Sequence, residues 1–136
     1  MITCDALDDD TLVARFESLA IPPTAFDHRA HVRLAYAMLR GADFGEAAVR
    51  FRRALRQFAE AAGAPNRLHE TLTWAYLAVI AERMADDPML MSSHAFVARH
   101  PDLLDRGTSG ALSRHYDVGA VTASPLARRV FVLPKL

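Results

Sequence analysis

The sequence predicts an all-α fold, a compact helical bundle of about five main helices with short C-terminal helices. Apolar residues recur at three- and four-residue spacing, and proline and glycine punctuate the ends of each such stretch. No run alternates with period two for long enough to make a strand, Val130 to Leu133 being the one stretch that comes near. At 136 residues, 51% of them hydrophobic and 24% charged, the chain is the size of a single domain, 1–136, that can bury roughly two-thirds of its unfolded surface around one core.

The first helix spans about 9 to 20, where Leu12, Val13, Phe16 and Leu19 keep helical phase and Pro22 and Pro23 stop it. Thr24 and Asp27 resemble a capping box for a second helix from about 26 to 40, which Gly41 ends. Asp43, with Glu46 three residues on, opens a third helix whose stripe of Phe44, Ala47, Phe51, Leu55 and Phe58 lasts until Gly63. Arg52, Arg53 and Arg56 on its other side read as a solvated face with local partners, such as Glu46 for Arg50 and Glu60 for Arg56.

Asn66 is the expected cap of a fourth helix reaching about 85, whose apolar residues surround most of its circumference and place it in the centre. After Pro88, Ser92 or Ser93 caps a fifth helix that Pro101 ends. Ser124 and Pro125 begin a last short helix, and the glycine-spaced leucines before it suggest short helices folded over the bundle.

Sixteen Lys plus Arg balance sixteen Asp plus Glu, so no net field steers the chain to nucleic acid or an anionic membrane. Cys4, the single cysteine, reads as an incidental thiol near a frayed N-terminus and excludes an internal disulfide or a cysteine-rich zinc module. The acidic start lacks the features of a signal peptide, and the longest mainly apolar run is too short for a bilayer, so the cytoplasm is the expected location.

The chemistry-bearing pattern is in the histidines. At about 100° per residue, Arg29, Arg33 and Arg40 gather on one side of the second helix, while His28 and His31 fall among Val32, Leu34, Ala35 and Met38 on the other. His69, in the first turn of the fourth helix, shares its face with Leu72, Thr73, Tyr76 and Ile80, away from the rim that holds Thr71 and Glu82. Short links make the second and fourth helices run the same way, so the three imidazoles are expected at one depth in one pocket. Two histidines three apart plus a third from another helix can hold an ion, and helix N-termini favour neutral imidazole. Glu70 is the candidate general base or partner of a ligand, and Tyr76 can offer its phenol to the same site. His94, His100 and His115 lack that register and stay outside it.

The segments Phe26-Asp27-His28-Arg29-Ala30-His31-Val32 and Leu68-His69-Glu70-Thr71-Leu72-Thr73, with Arg114-His115-Tyr116 before Ser124-Pro125-Leu126-Ala127-Arg128, resemble an uncharacterised group of small bacterial proteins. The resemblance covers most of the chain and implies no particular activity. It marks His28, His31, His69, Glu70, Thr71, Arg114, Tyr116, Ser124 and Arg128 as matches, while His115 stands where a second tyrosine is expected. It thereby makes Arg114 and Tyr116 candidates to close the pocket on a substrate, the arginine through its fork of donors.

Two functions follow. In the first, His28, His31 and His69 hold a divalent transition metal, zinc or iron before others, and the protein binds that metal or uses it as an enzyme on a small molecule. In the second, a metal-free pocket takes a small anion, with neutral histidines and Arg114 as polar contacts. An interaction protein without chemistry, and a homo-oligomer, stay open at this stage.

Overall fold

All the expected helices form, and local chemistry explains where each begins and ends. The computed structural model describes residues 3–135; Met1, Ile2 and Leu136, which the single-domain reading includes, lie outside the described residues. The main helices are α1 (Asp9–Glu17), α2 (His28–Arg40), α3 (Phe44–Ala61), α4 (Glu70–Asp86) and α5 (Ser93–Arg99). Two short ones, α6 (Val118–Ala123) and α7 (Pro125–Arg129), follow near the C-terminus. There is no strand among the described residues, and 130–133 runs as irregular chain without a ladder partner.

Capping side chains set the helix starts. The Asp43 carboxylate accepts the Glu46 N–H at 2.9 Å, and the Ser92 and Ser124 hydroxyls accept from Ala95 and Ala127 at 3.2 and 3.1 Å. Two expected caps are replaced. Thr24 lies in a 3-10 turn, Pro23–Ala25, and Asp27 alone caps α2 by accepting the Ala30 N–H at 2.9 Å. Asn66 also lies in a 3-10 turn, Pro65–Arg67, and His69 caps α4, its Nδ1 accepting the Leu72 N–H at 3.2 Å. In both places a proline-led 3-10 turn occupies the expected first turn, so the capping residue falls three residues later. The first helix stops at Glu17, short of residue 20, because Leu19 turns the chain with φ of 61°.

The central helix is α2 rather than α4: it packs against α1, α3, α4 and α5. Helical phase correctly separates its two faces, yet the arginine face is not all solvated. Arg33 is completely buried. Its guanidinium donates to the carbonyls of Cys4 and Leu7, both at 2.6 Å, and its Nε donates to the Ser93 hydroxyl at 2.8 Å. Asp9 completes the cluster, 3.5 Å from Nη2 and accepting the Ser93 N–H at 2.8 Å. The N-terminal segment and α5 thus cover a charge on the face of α2 opposite the histidines, and buried charge is tolerated because each of its three side-chain nitrogens has a partner. Cys4 is drawn in with it: the thiol is buried, not frayed, and lies 3.2 Å from the Ala25 carbonyl.

The C-terminal segment covers α4. Thr71, expected on the rim, is fully buried beneath it. Its hydroxyl lies 2.8 Å from the carbonyls of Ala127 and Val130, and accepts the Val132 N–H at 3.0 Å. This clasp explains how α4 can be apolar around most of its circumference without being the central helix. Arg52, read as solvated, instead donates to Glu70 across α3 and α4 at 2.6 Å, and Arg50 pairs with Glu17 of α1 rather than with Glu46. Buried apolar residues from each of α1 to α5 join in one continuous cluster. No helix among the described residues is long and apolar enough to cross a membrane.

Candidate functional site

The N-terminal ends of α2 and α4 border one cavity of about 600 Å³, and His28, His31, His69 and Tyr76 all line it. Its deeper wall is apolar, with Phe26, Phe51, Leu55, Phe58, Leu72 and Ile80. The three histidines therefore border one cavity. Their nitrogens have different work.

His69 is fully engaged. Its Nδ1 accepts the Leu72 N–H, so its proton is on Nε2, which donates to the Val121 carbonyl of α6 at 3.0 Å. One ring ties the start of α4 to the C-terminal cover. His28 donates through Nε2 to the Leu103 carbonyl at 2.8 Å, and its ring meets Tyr76 edge-on with centroids 5.2 Å apart. His31 is the third arrangement. Its Nδ1 lies 3.1 Å from the Asp27 carbonyl, which can only accept, so Nδ1 carries the proton and Nε2 carries the lone pair. No partner for that Nε2 is present among the described residues.

Burial keeps these imidazoles neutral. It pushes His31 down to about 4, against the opposing pull of the Asp27 carbonyl and with help from the charges of His28 and Arg106. His28 and His69 are lowered too, first by burial, while their carbonyl partners pull the other way. Burial raises the Tyr76 phenol above its ordinary value.

Compared with models of known families, with curated proteins and with solved structures, the chain gives no significant match. The site must be read from its own geometry.

As arranged, the three histidines are not a ligand set for one ion. Both nitrogens of His69 are spent on backbone groups, Nε2 of His28 is spent on Leu103, and the His28 and His31 ring centroids stand 6.4 Å apart. Among the described residues no group of three or more His, Cys, Asp or Glu is placed to hold a metal. The physical reason is the unforeseen cap: a histidine that starts a helix uses the nitrogen that a ligand needs.

The other expected site residues are dispersed. Glu70 faces α3, accepting from Arg52 and, at 2.8 Å, from the Trp74 indole. Burial works against its carboxylate, but those two bonds outweigh it and hold its pKa below the ordinary glutamate value. Tyr116 donates to the Val132 carbonyl at 2.9 Å and anchors the C-terminal segment. Arg114 is exposed and does not line the cavity. The cavity instead draws on Arg67, Arg106 and Arg128. Arg128 is marked only by the resemblance, Arg67 ends the 3-10 turn that replaces the expected first turn of α4, and Arg106 sits in an irregular segment where no periodicity assigns a face.

Proposed function

We propose that the protein binds a small molecule in this cavity, with a largely apolar body against α3 and α4 and a polar group reaching His31. The observation that carries the reading is the pairing of a lone-pair-bearing His31 Nε2 with the apolar stretch of wall from Phe51, Leu55, Phe58, Leu72 and Ile80 in a cavity of about 600 Å³. That volume is within the range of small-molecule sites, which are mostly apolar with a few placed polar groups. A neutral imidazole there accepts a hydrogen bond from a ligand hydroxyl or amide, or takes its proton.

Native mass spectrometry and thermal shift of tag-free protein test the reading, with Ala35→Phe as the comparison because Ala35 is buried and lines the cavity. The expected result is a bound small molecule, or thermal stabilisation by apolar compounds in a screen, that Ala35→Phe abolishes while still melting cooperatively. Stabilisation equal in both proteins overturns it. Elemental analysis of the same sample reads the metal-dependent alternative: stoichiometric zinc or iron lost in His31→Ala supports the metal, and its absence after reloading rejects it.

A further inference from the structure

We infer that the ligand of this cavity is an organic anion, an apolar body carrying one acidic group that sits against Arg106. The inference rests on the small-molecule reading above and names the class of ligand.

The charges around the cavity are unequal. Three arginines line it, Arg67, Arg106 and Arg128, against a single carboxylate, Asp27. Asp27 is already committed to the Ala30 N–H as the cap of α2. Arg128 gives one donor to the Asn66 carbonyl at 2.7 Å. The side chains of Arg67 and Arg106 have neither an ion pair nor a hydrogen bond among the described residues.

Arg106 is also close to the polar end of the cavity. Its charge acts on His28, His31 and Tyr76 together, adding to the effect of burial on the two imidazoles and opposing it on the phenol. Asp27 and Asp105 act on the same groups in the opposite sense, but neither is paired with the Arg106 guanidinium among the described residues. The Tyr76 O–H, with no partner among the described residues, is a second donor for an anion, and Arg106 offers a fork of N–H groups suited to an oxyanion. The apolar inner wall excludes a ligand that is polar throughout, such as a sugar phosphate, because its hydroxyls would be buried without partners. An aromatic or aliphatic chain ending in a carboxylate, sulfonate or phosphate satisfies both ends.

A matched pair of dyes separates the anion from the apolar body. 1-Anilinonaphthalene-8-sulfonate and N-phenyl-1-naphthylamine share one aromatic skeleton, and the first alone carries a charge. Each is titrated by fluorescence into wild type, Arg106→Gln and Ala35→Phe. Arg106 is exposed in a loop, so its substitution leaves the fold intact. The expected result is that Arg106→Gln weakens the sulfonate at least about tenfold, as removal of a charge-assisted bond implies, and the neutral dye less than about twofold. Ala35→Phe weakens both. If Arg106→Gln changes both dyes by the same factor, or neither, while Ala35→Phe still blocks both, the anion inference is overturned and the cavity reading survives. If neither dye binds wild type, or Ala35→Phe leaves both unchanged, the cavity reading fails and takes the inference with it.

Discussion

Acid should destabilise this protein through His31 before it titrates the carboxylates. Folding takes the imidazole from about 6.5 to about 4, so the unfolded chain binds the proton more readily than the folded one between those values. Stability from this group is therefore whole above pH 6.5, falls as the pH drops below it, and stops falling below about 4. The full loss is about 3 kcal/mol, and about 2 kcal/mol of it is reached by pH 5. Urea unfolding at pH 7.5, 6 and 5 reads it, with His31→Gln as the comparison because glutamine does not titrate. Wild type should lose about 2 kcal/mol more than His31→Gln between pH 7.5 and 5. Equal losses in the two proteins would refute the argument, since they would show that His31 is not held neutral by its surroundings.

Other substitutions test the parts that hold the cavity together. Arg33→Met removes a buried cation that four groups depend on, and should cost about 3–5 kcal/mol in urea unfolding; a loss below about 1 kcal/mol would mean that the cluster of Cys4, Leu7, Asp9 and Ser93 is solvated. Thr71→Val keeps the shape and removes the hydroxyl that holds Ala127, Val130 and Val132, so it should cost about 2 kcal/mol and lower the urea midpoint by about 1 M. Amide exchange in that variant should quicken over residues 118–132 and leave α2 slow; uniform quickening would show that the segment is not a separable cover.

Much of this arrangement was legible in the sequence, for identifiable reasons. The stripe of α3 and the serine and aspartate caps obey local rules, and those rules act within a few residues. That His28, His31 and His69 border one cavity agrees with helix phase and short links. What escaped the sequence depends on segments far along the chain. Phase can say that Arg33 and Thr71 point away from the cavity, but only the N-terminal segment, α5 and the C-terminal segment decide that those faces are covered. His69 was hidden differently: histidine is an uncommon cap, and Asn66 three residues earlier carried the stronger local signal. That one misplaced helix start turned a supposed ligand into a structural tie. Arg106 lies between elements, where spacing carries no directional information.

The central claim is that His31 presents an unprotonated Nε2 to the cavity, unlike the two histidines beside it. Long-range proton–nitrogen correlation spectra of the imidazoles at pH 7.5 measure this directly, because the two neutral tautomers have distinct nitrogen shifts. The structure predicts the Nδ1–H tautomer for His31, and the Nε2–H tautomer for His28 and His69. A protonated His31 at that pH, or an Nε2–H form of it, would contradict the account.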